Sequence, residues 1–200
     1  AIHGDDKGVV LPPAVAPVQV VVVPIPEKGR QDVILEEAKR LAAELGEHAR
    51  VELDARDLRP GAKFYEWEAK GVPLRLELGP RDLAVGVVTA ARREASGRTT
   101  IPRGEVVEGV RKLLREIQGD MYARAERLLR EGIVDIAAPE EARESINRIG
   151  WCGGDDCGHQ IEADTGMSLL GTPYPPEPFE GTCITCGKPA EARAYLARTY

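Results

Sequence analysis

The longest apolar run in the chain, Val18-Gln-Val-Val-Val-Val-Pro-Ile, is β-branched along most of its length and ends on a proline and an isoleucine. That is the pattern of a strand buried on both faces. Gly29 to Gln31 interrupts it. Ile34, Ala38, Leu41, Ala42 and Leu45 then recur at helical spacing until Gly46 stops the helix. Arg50 to Arg56 returns to alternation through Val51 and Leu53 and predicts a second strand, and Lys63 to Lys70 predicts a short helix with Phe64 and Trp67 three apart. In Pro73-Leu-Arg-Leu-Glu-Leu-Gly-Pro, Leu74, Leu76 and Leu78 point one way and Arg75 and Glu77 the other. Gly79-Pro80 ends this strand, and Val85 to Ala91 with Thr99 to Pro102 predicts a hairpin. Val106, Val110, Leu113, Leu114, Ile117, Met121, Ala125 and Leu128 hold one face of a long helix from about Glu105 to Arg130. Gly132 closes it. Pro139 marks a further helix start between Ile133 and Ile149.

Strands alternating with helices predict an α/β fold built on a small mixed sheet. A smaller module follows the break near Gly132, from Trp151 to Tyr200, interrupted by a proline-rich loop from Thr172 to Phe179. The 200 residues, 42% hydrophobic and 30% charged, suit a soluble protein of one large domain or of a medium-sized domain plus a small one. The Val18–Ile25 run is too short for a bilayer. The acidic start, Ala1-Ile-His-Gly-Asp-Asp-Lys, has no apolar signal region, so the expected location is cytoplasmic and no membrane partner is expected. A net charge of −6 argues against gripping nucleic acid by bulk electrostatics, though a few bases can still be read by placed side chains. No phosphate-binding loop, dinucleotide fingerprint or nucleophile elbow is present, and His3, His48 and His159 are scattered.

All four cysteines lie in the last quarter: Cys152 and Cys157 as C-x4-C, Cys183 and Cys186 as C-x2-C. Two short-spaced pairs suit a tetrahedral Zn²⁺, each pair giving two thiolates from one turn. Glycines within or beside the pairs (Gly153, Gly154, Gly158, Gly187) let the backbone bend the sulfurs towards one centre. Two disulfides suit neither the spacing nor a cytoplasmic chain, and iron–sulfur clusters use tighter runs. His159 is placed as a neighbour of the ligands or a solvated residue. Four thiolates leave no open position for a catalytic water, so the metal is expected to be structural.

A second constellation surrounds the third strand: Glu68, Arg75, Arg81 and Asp82, beside Phe64 and Trp67. A carboxylate accepts from guanine N1–H and N2–H₂, a guanidinium donates to O6 and N7, and an aromatic ring stacks on an unstacked base. Such a mixture suits reading of single-stranded guanines. The same residues can equally be a solvated or ion-paired strand face with two core aromatics.

Taken together, His3-Gly-Asp-Asp-Lys-Gly-Val-Val-Leu-Pro-Pro, Pro17-Val-Gln-Val-Val-Val-Val-Pro-Ile, the stretch Gly61 to Leu83 and the cysteine quartet resemble prolyl-tRNA synthetases of the archaeal/eukaryotic type over essentially the whole chain. The resemblance implies the tail of a class II catalytic domain and linker (1–16), a small mixed-sheet class IIa anticodon-binding domain (17–131) and a small α+β zinc-binding domain (132–200). It places Phe64, Glu68, Arg75, Arg81 and Asp82 against the two guanines of the proline anticodon, and structural Zn on Cys152, Cys157, Cys183 and Cys186. Position 81 is often Lys in this motif; Arg81 keeps the charge but offers a planar fork. Tyr200 fits the family's terminal aromatic. ATP, Mg²⁺ and proline chemistry belong to a class II catalytic domain upstream, whose motifs this chain lacks, and which usually makes the homodimer. This chain alone is expected to be inactive. The alternative is a free-standing, zinc-stabilised RNA- or synthetase-binding module.

Overall fold

The β-branched run becomes an interior strand of a sheet because apolar layers cover both of its faces. In a computed structural model, which describes residues 3–27, 29, 31–175 and 179–199, β1 (Val20–Pro24) is buried along its whole length. It pairs in parallel with β2 (Val51–Leu53) on one side and β3 (Leu74–Leu78) on the other. Beyond β3 the sheet continues antiparallel through β4 (Val87–Arg92) and β5 (Thr99–Pro102). The result is the expected mixed α/β sheet, in the order β2-β1-β3-β4-β5.

Val20, Val22, Leu74, Leu76 and Leu78 cluster with α1 (Gln31–Gly46) and α4 (Val106–Glu131) in the larger core. Val21 and Val23 turn the other way and pack with Val72 and with Phe64 and Trp67 of α2 (Pro60–Ala69). In register, Arg75 stands opposite Val21 and Glu77 opposite Val23. Cross-strand neighbours share a face, so both charges lie on the α2 side. Residues 5–11 form a bridged turn between Asp5 and Gly8, after which Val9 and Leu11 donate their N–H groups to the carbonyls of Ala69 and Gly71. Gly8, at φ +125°, passes so close to Ala69 that a Cβ there would sit 2.8 Å from its carbonyl oxygen.

The chain divides into two compact units, Ala1–Ala125 and Glu126–Tyr200. The second carries a four-stranded mixed sheet, β6 (Ile133–Asp135), β7 (Ile146–Trp151), β9 (Ala192–Ala197) and β8 (Ser168–Gly171) in spatial order, with α5 (Asp155–Thr165) packed on it.

Three local expectations are corrected. Gly79-Pro80 starts a short helix, α3 (Pro80–Val85), and does not merely end a strand: proline sits at its first position and Asp82 caps Gly79 N–H at 2.8 Å. The helix expected from Pro139 is only a 3₁₀ turn, Pro139–Glu141. The fully buried Asn147 explains why: its amide donates to the carbonyls of Arg143 and Ser145 and its oxygen accepts from Arg143 N–H, fastening a non-helical turn. Finally, Leu128 does not join the buried face of α4; that face is buried only as far as Met121, and Leu128 is exposed. The terminal aromatic, Tyr200, lies outside the described residues.

Candidate functional site

Arg75 is the centre of the first unit's polar cluster, and β3 and α2 hold it there together. Gly71, at φ +73°, makes the tight turn between them; a Cβ there would lie 2.7 Å from the Val9 carbonyl. The Arg75 guanidinium lies 4.0 Å from the centre of the Phe64 ring. Its Nη1 donates to Glu68 Oε1 at 3.1 Å, and its Nε and Nη2 donate to Glu77 Oε1 at 3.1 and 3.0 Å. Glu77 also accepts from Arg98 Nε, and the second oxygen of Glu68 lies 3.9 Å from Lys7 Nζ. Arg75 is 9% exposed and Glu77 6%. The second face of β3 is therefore buried and paired, not solvated. A cavity of about 10 Å³, lined in part by Trp67, Glu68, Val72, Arg75 and Arg93, has no room for a base. Any base must come from the outer rim, where Glu68 is more open.

The five candidate residues form two groups. Arg75 contacts both Phe64 and Glu68. Arg81 and Asp82 open α3, directly after β3, and no hydrogen bond or ion pair joins them to Arg75 among the described residues. Both Asp82 oxygens are engaged, one by Gly79 N–H and one by the Thr89 hydroxyl at 2.7 Å. Arg81 is exposed.

Sequence reasoning singled out neither Glu77 nor Arg98 as a site residue. Glu77 was legible as the next residue on the Arg75 face; Arg98 reaches the cluster only through the fold of the β4–β5 loop. A supporting network was also missed. Asp54, 2% exposed, accepts from Arg56 at 2.9 and 2.7 Å and from Trp67 Nε1 at 2.8 Å. Hydrogen bonding from Arg56, with help from Trp67, outweighs burial and holds its carboxyl down at about 2. Trp67 is thus fixed through its indole N–H, and the buried Lys63 donates to the Asp54 carbonyl at 3.0 Å; burial lowers the Lys63 pKa. On the other side, Arg93 grips Asp5 at 2.7 and 2.6 Å and the Glu68 carbonyl at 2.8 Å. That ion pair holds the Asp5 carboxyl well below the usual carboxylate range.

The second unit brings all four cysteines together. Cys152 follows β7, Cys157 lies in the first turn of α5, and Cys183 and Cys186 sit in a turn closed by Cys183 N–H to the Lys188 carbonyl at 2.7 Å. Gly187, at φ +69°, completes that turn. Gly150 lets it dock on β7: a Cβ at 150 would lie 2.3 Å from the Thr182 carbonyl, and Ile184 N–H donates to the Gly150 carbonyl at 3.0 Å. The four Sγ atoms lie within 4.8 Å of one another, with Cys152 and Cys186 at 3.8 Å. A tetrahedral thiolate site with bonds of about 2.3 Å has sulfurs about 3.8 Å apart, so the quartet could hold a metal ion. Hydrogen bonding with Cys152 and Cys186 pushes Cys157 up to about 12. Burial opposes ionisation of Cys183, yet backbone N–H groups of Cys186, Thr185 and Cys152 bring it down to about 6. Four like charges this close need a cation to coexist. His159 is exposed and stands apart from the quartet.

No helix among the described residues is long and apolar enough to cross a membrane. Residues 19–113 match the family described as "Anticodon binding domain", and residues 139–200 the family described as "Prolyl-tRNA synthetase, C-terminal". The whole chain aligns with the protein named proline–tRNA ligase of Pyrococcus abyssi at 45% identity, covering 44% of that protein. It aligns with the same-named protein of Methanopyrus kandleri at 46%, covering 42%, and of Aeropyrum pernix at 44%, covering 44%. The chain thus spans less than half the length of these relatives.

Proposed function

We propose that the chain is part of a prolyl-tRNA synthetase, an anticodon-binding domain followed by that family's C-terminal domain, and that its first unit reads the anticodon loop of tRNA(Pro). In this reading residues 17–131 form the reading domain, residues 132–200 a zinc-braced domain, and residues 1–16 the lead-in from a class II catalytic domain. The whole protein, a cytoplasmic homodimer, attaches proline to tRNA(Pro) with ATP and Mg²⁺; this part supplies recognition. Four thiolates on Zn²⁺ close its coordination sphere, so the metal's role is to hold the fold.

One observation carries the reading. At Arg75 a guanidinium with hydrogens left on both Nη atoms stands beside Glu68, whose Oε2 accepts no hydrogen bond among the described residues. Donor beside acceptor is the complement of a guanine edge: Arg75 faces O6 and Glu68 accepts from N1–H and N2–H₂. The Phe64 ring backs the pair. Arg81, exposed at the start of α3, reaches the second guanine, while Asp82, engaged as a cap, holds α3 in place and presents its rim. Calorimetric titration of the chain with the proline anticodon stem-loop tests this. Replacing both guanines is expected to weaken binding by at least tenfold, about 1–3 kcal/mol per lost bidentate contact. Equal affinity for the two loops would sink the proposal.

A further inference from the structure

Three arginines lie at the β4–β5 hairpin: Arg92 ends β4, and Arg93 and Arg98 lie in the loop. Arg92 pairs with Glu94 and Asp120, and Arg93 with Asp5 and the Glu68 carbonyl. Arg98 differs. Gly97, at φ +109°, turns the chain just before it. Its Nε donates to both oxygens of Glu77, at 3.3 and 3.2 Å, and among the described residues neither of its Nη atoms has a hydrogen-bond partner. Its side chain is 57% exposed, whereas that of Glu77 is 8% exposed.

One buried carboxylate therefore orients two guanidinium groups: Arg75 by Nε and Nη2, and Arg98 by Nε alone. Pinning an arginine at Nε leaves its terminal fork pointing outward with defined direction, the geometry that suits a phosphate. The local charge agrees. Lys7, Arg75 and Arg98 face Glu68 and Glu77, an excess of cation in a chain whose net charge is −6. A neutral base edge does not need that excess; a backbone phosphate does.

We propose that Arg98 is a further RNA contact, binding a backbone phosphate of the strand whose base meets Arg75, and that Glu77 is the positioning residue for both arginines. The proposal rests on the anticodon reading above, and its test separates the two. Binding of the chain to the proline anticodon stem-loop and to a loop with both guanines replaced is measured across a salt series, for the natural sequence, Arg98→Ala and Arg98→Lys. A phosphate contact predicts that Arg98→Ala binds both loops roughly fivefold to tenfold more weakly, with the preference for guanine intact and a salt slope shallower by about 1. Arg98→Lys keeps most of the slope because it keeps the charge. Circular dichroism of each variant confirms that the fold is intact, as expected with Glu77 still held by Arg75. If Arg98→Ala binds as the natural chain does while that chain still prefers guanine, the phosphate contact is overturned and the anticodon reading stands. Loss of guanine preference in Arg98→Ala also overturns it, since Arg98 would then be reading a base. If the natural chain itself shows no preference for guanine, both fall together.

Discussion

The two units solve the problem of holding polar groups in place in opposite ways. In the first, Arg75 and Glu77 are set into a sheet whose other face is a large apolar core, with Val20, Val22, Leu74, Leu76 and Leu78 covered by α1 and α4. The core holds the backbone and the backbone holds the charges. In the second, the buried apolar cluster is Ile136, Ile149, Ile161, Met167, Ala194 and Leu196. A core of that size is small for independent stability, and a metal ion held by the sulfur quartet would supply the missing cross-link. Polar geometry is thus a product of the fold in one unit, and on the proposed zinc reading a condition for the fold in the other.

The largest expected effect breaks the comparison at the metal. Chelation, or Cys183→Ser, should unfold the second unit, because binding worth about 10–16 kcal/mol in structural zinc sites is folding free energy. The first unit should melt unchanged. Calorimetry should show one transition disappear, and loss of both would mean that the units are not independent. Next comes Arg75→Ala, which among the described residues leaves the buried Glu77 with only Arg98 as an ion-pair partner. Breaking a buried pair typically costs about 3–5 kcal/mol, readable by urea denaturation; a cost below about 1 kcal/mol would show that the cluster does not depend on Arg75.

A smaller effect comes from Asp54. Its carboxyl titrates near 2 in the folded chain, held down first by Arg56, against about 3.9 when unfolded. The depressed folded value means that its stabilisation is present above about pH 4 and is lost as pH falls towards 2. The expected loss is about 2 kcal/mol, and Asp54→Asn should remove that part of the acid dependence. Smallest in stability is Arg81→Ala. Arg81 is exposed, so unfolding should shift by less than about 0.5 kcal/mol, while affinity for the anticodon loop drops by about 1–3 kcal/mol. A variant that loses stability and keeps affinity would reverse its assignment.

Periodicity made much of the first unit legible. The β1 run, the α1 stripe and the Leu74-Leu76-Leu78 alternation each point to the element that forms. Local chemistry also sufficed for the cysteines, whose spacing and glycines anticipate a convergent quartet. What stayed hidden depends on tertiary partners. Nothing local distinguishes a solvated Arg75–Glu77 face from a buried one; α2, arriving through Gly71, decides it. The segment after Pro139 carries a helix-start signal, but Asn147, several residues on, captures its backbone groups from the side. Leu128 continues a helical stripe that the fold stops burying after Met121. Arg98 belongs to the Arg75 cluster only because the β4–β5 loop turns at Gly97.

Glu68 and Arg75 together are proposed to read a guanine edge. Inosine lacks the guanine N2 amino group and keeps O6, N7 and N1–H, so it isolates the Glu68 half of the contact. Affinity for stem-loops carrying inosine at each anticodon guanine in turn should therefore be measured for the natural chain and for Glu68→Ala. At one of the two positions inosine is expected to weaken binding to the natural chain by roughly tenfold and to have no further effect on Glu68→Ala. Equal binding of guanine and inosine at both positions, or a penalty that persists undiminished in Glu68→Ala, would contradict the account.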